Sequence, residues 1–91
     1  MLENQATDEF VFVVESLYCS DSKDWHGEIK DCLGVYTTFD KAVARAQREC
    51  DYKLEFLPYP KNPQNYFESV VTDEAKDAGE FFSIYRVVLD K

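Results

Sequence analysis

The chain of 91 residues holds only three glycines, Gly27, Gly34 and Gly79. They are too far apart to build a glycine-rich phosphate loop. There is one imidazole, His26, so any nucleophile that needs a histidine base has a single candidate. Cations are scarce: ten Lys and Arg stand against eighteen Asp and Glu, a net charge of −8. Phosphate backbones and anionic lipids recruit Lys and Arg, so this balance opposes direct binding of nucleic acid or membrane. No stretch approaches the ~20 apolar residues that span a bilayer. The first ten residues lack the basic start and apolar run of a secretion signal, so a cytoplasmic location is expected. Three cysteines are an odd number, which fits reduced thiols better than a disulfide framework. They do not suit zinc either. Cys19, His26, Cys32 and Cys50 are separated by 7, 6 and 18 positions, whereas zinc sites bring ligands in close pairs. No metal and no cofactor are expected.

Aromatic residues are plentiful: seven Phe, six Tyr and one Trp. Large rings bury much area each and compensate for a short chain. Residues 1–8 read as a flexible N-terminal tail and 9–91 as one domain. Phe10 to Tyr18 is β-branched and aromatic on both faces, the pattern of a central strand. A polar loop over 19–27 leads to a second strand at Glu28 to Tyr36, antiparallel to the first. Its Ile29, Asp31, Leu33 and Val35 are expected on one face, and Lys30, Cys32, Gly34 and Tyr36 on the other. Thr37 is the expected N-cap of a helix, with Asp40 placed as in a capping box. Phe39, Ala42, Val43, Ala46 and Cys50 share one apolar face, and the helix is expected to reach Tyr52 or Leu54. Pro58, Pro60 and Pro63 predict a stiff loop over 57–65. Tyr66 to Val71 reads as a third strand, Thr72 to Gly79 as an acidic connection, and Glu80 to Leu89 as the last strand. The expected fold is α+β: an antiparallel sheet of about four strands in ββαββ order, with one helix on one face.

Two acidic clusters stand out. Asp21, Asp24, Glu28 and Asp31 surround the first hairpin; Asp73, Glu74, Asp77 and Glu80 surround the second. Neither matches a calcium loop. They are the candidate protein-binding residues, meeting a basic partner. One helix covers only one face of a sheet, yet the strands carry apolar groups on both. Phe81, Tyr85, Val87 and Leu89 alternate with Phe82, Ile84 and Val88. The uncovered face is therefore expected to bind a protein partner or a second copy as a homodimer, unless the Pro-rich loop folds back over it. Lys41, Arg45 and Arg48 make a short basic stripe on the helix, without the interleaved rings that single-stranded nucleic acid requires.

The Val-rich strand from Val11 to Glu15, the turn Leu33-Gly34-Val35-Tyr36-Thr37-Thr38 running into an Ala-rich helix, and the closing Phe82 to Lys91 carry a pattern. On these motifs the chain resembles a family of small uncharacterised α+β domains of bacterial and phage hypothetical proteins. The stretches Pro58 to Pro63 and Asp73 to Glu80 are longer than in that family's pattern. The resemblance implies the fold and no activity or site residue. The function expected from the residues is a small acidic protein-binding or adaptor domain without catalysis. The first alternative is an acidic inhibitor, or nucleic-acid mimic, that blocks a basic nucleic-acid-binding protein. The second is a small enzyme using Cys19, His26 or Cys32.

Overall fold

The computed structural model describes residues 9–18 and 28–89. Seven elements follow one another: β1 (Phe10–Tyr18), β2 (Ile29–Tyr36), α1 (Phe39–Gln47), β3 (Phe56–Pro58), β4 (Tyr66–Ser69), α2 (Asp73–Ala78) and β5 (Glu80–Val88). The strands form one sheet in the order β2-β1-β5-β4-β3, with every neighbouring pair antiparallel. This corrects the expected ββαββ layout: the described residues form five strands and two helices, in the order ββαββαβ. β3 overlaps the start of the stretch 57–65 expected to be a proline-restricted loop. It is three residues long and pairs only with β4 at the edge of the sheet. An edge strand tolerates Pro58, because one side of it needs no backbone donor. α2 is six residues long, too short for a helical period to show. Its ends are nonetheless written in the sequence. The Thr72 hydroxyl accepts the Ala75 N–H, and Gly79 closes the helix at φ +76°.

β1 and β5 pair without interruption from Phe10↔Val88 to Tyr18↔Glu80. Alternation along the strands then separates two faces. Phe12 and Val14 of β1 join Phe82 and Ile84 of β5 on one face, where Ala42, Ala46 and Leu54 complete the buried core. Ala42 and Ala46 are the fully buried positions of α1, and their small side chains let the helix axis lie close to the sheet. Phe39 spreads that contact sideways. Its ring meets those of Phe12, Phe56 and Phe67 at centroid distances of 5.8, 6.4 and 4.8 Å. One aromatic side chain thus ties α1 to β1, β3 and β4.

The N-cap of α1 is Thr38, one residue later than expected; its hydroxyl accepts the Lys41 N–H at 3.1 Å. Position N3 is therefore Lys41, and no capping box forms. The helix ends at Gln47, short of Tyr52. The chain reverses there because the Gln47 amide holds the returning strand. Its Nε2 donates to the Tyr52 carbonyl at 2.7 Å and its Oε1 accepts the Leu54 N–H at 2.9 Å. β2 also departs from simple alternation. Its pairing with β1 shifts between Val14 and Glu15 and again between Ser16 and Leu17. Cys32 consequently stands opposite Glu15 and shares a face with Ile29 and Val35, while Leu33 and Tyr36 pack towards the core. Gly34, at φ +141°, sits at the first shift, and a Cβ there would lie 2.9 Å from the Tyr36 hydroxyl. Bulges on β2 and the brevity of β3 blunt both edges of the sheet against strand addition.

Ala46→Asp should destabilise the fold by roughly 3 kcal/mol or more, because it buries an unpaired charge. Ala44→Asp, on the exposed side of α1, should stay within ~0.5 kcal/mol. Urea titration of both variants checks the helix orientation.

Candidate functional site

The last turn of each helix points to the same place. The segment after α1, Glu49-Cys50-Asp51-Tyr52, and α2, with Glu74 in its first turn and Asp77 and Ala78 at its end, line an open cleft of about 410 Å³ together with Glu80. Five of its eight lining residues are carboxylates. Arg45 holds Glu49 at 2.7 Å, and Lys30 holds Glu80 at 3.2 Å. Asp51, Glu74 and Asp77 meet no cation among the described residues. The carbonyl ends of the helices add partial negative charge. Burial and the surrounding carboxylates Glu80, Asp51 and Glu49 push the Cys50 thiol up, although its contact with the Tyr52 carbonyl opposes this. Among the described residues no three His, Cys, Asp or Glu side chains gather as a metal ion would require.

Glu28 of the first acidic cluster and Glu80 of the second both lie at this end of the sheet. Tyr18 lies between Glu80 on β5 and the start of β2, where its N–H donates to the Glu28 carbonyl at 2.9 Å. Strand spacing sets the Glu28 and Glu80 backbones roughly 10 Å apart. Asp31 stands opposite Ser16 and is exposed; Asp73 is the first residue of α2 and is exposed. Glu74, Asp77 and Glu80 line the cleft, whereas Glu28, Asp31 and Asp73 flank it without lining it. Asp21, Asp24, Cys19 and His26 lie outside the described residues, as do the expected tail and the closing Asp90 and Lys91. Glu49 and Asp51 were missed. A signal for them existed: acidic residues just past a helix C-terminus oppose the macrodipole, so their placement is locally unfavourable.

The face opposite α1 carries a second arrangement. One transverse row runs Cys32, Glu15, Ser83, Glu68, Leu57 across all five strands. The next row holds Val35, Val13, Tyr85 and Tyr66. Each tyrosine reaches back to a carboxylate. The Tyr85 hydroxyl donates to Glu15 at 3.4 Å and the Tyr66 hydroxyl donates to Glu68 at 3.2 Å. Burial foremost, then the neighbouring carboxylate, raises both phenols above their ordinary range. Ser83 lies wholly buried between the two glutamates. Its hydroxyl makes no well-formed hydrogen bond, though it is near enough to Tyr66 to ease that phenol's ionisation slightly. The proline-rich stretch does not fold over this face. Residues 60–64 are exposed in the β3–β4 turn, and Tyr59 alone of that turn lays its ring on Tyr66, at 5.2 Å. Val35, Leu57 and Val87 remain exposed, at 56, 50 and 37%.

No protein-family model, curated protein or solved structure matches the chain.

A thiol reagent at neutral pH should label exposed Cys32 well before Cys50, whose thiolate is disfavoured; mass spectrometry of tryptic peptides reads the order. Tyr66 and Tyr85 resist ionisation only while folded. Their contribution to stability is therefore intact below the unfolded tyrosine value of about 10 and is lost as pH rises through the folded values. Urea midpoints should fall between pH 9 and pH 11, and less steeply in the double variant Tyr66→Phe/Tyr85→Phe.

Proposed function

We propose that the chain is an acidic protein-binding domain whose cleft between the ends of α1 and α2 receives a lysine- or arginine-bearing segment of a partner protein. The observation that carries this reading is convergence. Carboxylates from two separate stretches of chain, 49–51 and 74–80, line one concavity, and Asp51, Glu74 and Asp77 there meet no cation among the described residues. Like charges gathered at one point raise the energy of the free protein, and a cationic guest relieves it. A cleft of this size takes one or two side chains rather than a folded domain, so the partner contributes a short basic segment. Concentration of charge at one end of the sheet also favours a local basic segment over mimicry of an extended phosphate row. The basic stripe of Lys41, Arg45 and Arg48 interrupts any such row along α1. No described helix is long and apolar enough to cross a membrane, and the proposed setting is the cytoplasm.

Binding of fluorescent nona-arginine and nona-lysine peptides tests the reading. The double variant Glu74→Gln/Asp77→Asn should weaken both by tenfold or more at 50 mM salt. The charge-matched variant Asp40→Asn/Glu55→Gln should weaken them by less than threefold. Equal losses in the two variants would reduce the effect to net charge and overturn a localised site.

A further inference from the structure

A second surface, on the other face of the sheet, has its own chemistry. Strand residues on this face are apolar except for one patch at its centre, the row Glu15, Ser83, Glu68 with Tyr85 and Tyr66 beside it. The outer strands contribute Val35 on one side and Leu57 on the other, both exposed. Among the strand residues facing this way there are two carboxylates and no cation. β5 separates the two carboxylates, so their backbones lie roughly 10 Å apart. A group approaching from solvent above Ser83 therefore meets a carboxylate on each side and a phenol ring beside each carboxylate.

Four observations define what fits. The carboxylates demand positive charge. The rings favour a planar, weakly hydrated cation, which is guanidinium rather than ammonium. The Ser83 hydroxyl, fully buried and with only a poorly formed contact to Tyr66, is a polar group that a donor or acceptor completes once the side chains over it part. The exposed aliphatic residues on either side call for apolar neighbours to that cation. A second copy of the chain meets these demands poorly. Two such faces brought together by a two-fold axis would set Glu15 and Glu68 against the same residues of the other copy, with no cation between them. Strand addition is opposed by the bulges of β2 and the shortness of β3.

We infer that the sheet face opposite α1 docks a protein segment that presents an arginine between aliphatic side chains, with the guanidinium seated over Ser83 between Glu15 and Glu68 and flanked by Tyr66 and Tyr85. This site shares no residue with the acidic cleft, and it stands or falls independently. The two tyrosines are pre-placed by their bonds to the glutamates, so little side-chain freedom is lost when the segment arrives. Each glutamate accepts its phenol through Oε2, so its other carboxylate oxygen can take the charged donor while the tyrosine stays in place.

Selection of a displayed random twelve-residue peptide library against the immobilised protein tests the inference. Enriched sequences should share an arginine with aliphatic residues within two positions on both sides. A synthetic peptide of that consensus should bind the wild type and lose tenfold or more in affinity when citrulline replaces the arginine. Glu15→Gln/Glu68→Gln should lose a similar factor, while Glu74→Gln/Asp77→Asn should lose less than threefold. Circular dichroism and the urea midpoint of the Glu15→Gln/Glu68→Gln variant separate lost binding from lost folding. If that variant unfolds, Ser83→Ala serves instead, with the peptide's amide and guanidinium resonances followed by NMR. A consensus without arginine, or a peptide whose binding falls only with the Glu74→Gln/Asp77→Asn change, would overturn the inference. So would a homodimer, seen in sedimentation at 100 μM, that Glu15→Gln/Glu68→Gln tightens.

Discussion

The unbroken pairing of β1 with β5 is the constraint on which the other features depend. It joins strands that begin seventy residues apart and keeps one register over nine residue pairs. Because side chains alternate strictly along such a ladder, one choice of register decides every neighbour on both faces at once. Phe12, Val14, Phe82 and Ile84 fall together, and the alanines of α1 have a surface to cover. Glu15 and Ser83 fall opposite one another on the other face. A slip of a single residue would turn the core outward and bury the glutamates. The ladder also ends with Tyr18 opposite Glu80, which places the start of β2 and the end of α2 side by side. The fold and both surfaces thus descend from one long-range contact.

Helix α1 divides the work of the sheet. Its small buried residues and the ring of Phe39 seal one face, and the Gln47 amide turns the chain so that Leu54 enters the same core. Ending at Gln47, with Arg48 as C-cap, delivers Glu49 and Asp51 to the cleft. The short α2 answers from the opposite side with Glu74 and Asp77. A chain of this size has one compact core and little more to bury. The far face of the sheet stays partly open for that reason, with its central positions filled by tyrosines that are half buried and half available.

Much of this was legible in the sequence, because the signals were local and strong. The bounds of β1, the alternation of β5 and the apolar face of α1 all follow from period alone. Phe39, Ala42, Val43 and Ala46 do pack against the core, as their spacing predicts. The failures share a physical cause: each was decided by contact with something distant. Prolines 58, 60 and 63 suggested a loop because only pairing with β4 makes Phe56–Pro58 a strand. The acidic run from Asp73 looked like a connection because six residues are too few for a helical period, although Thr72 and Gly79 marked its ends. The faces of β2 were misassigned because two bulges break a period that Gly34 alone hints at. The eight candidate acids were read as two clusters. That Glu74, Asp77 and Glu80 would join Glu49 and Asp51, while Glu28 and Asp31 stand beside them, is a property of the sheet order and not of any local pattern.

Where local preference and the fold disagree in this chain, the disagreements are not scattered. Core residues agree with their surroundings: β-branched and aromatic side chains in the strands, alanine at the helix contact. The residues that offend local rules are Glu49, Asp51 and Asp77 at the negative ends of helices, and Ser83, a fully buried hydroxyl without a well-formed bond in the central part of the sheet. Each raises the energy of the free protein slightly. An apolar residue at 83, or lysines after the helices, would serve stability better. Departures from local rules that gather at a surface concavity and on an open sheet face are the pattern of functional or strained sites. The two sets of offending residues coincide with the two acidic, cation-poor surfaces. On the readings proposed above, both call for the same class of guest: a positively charged side chain on another protein, set against carboxylates that the isolated domain leaves without a cation.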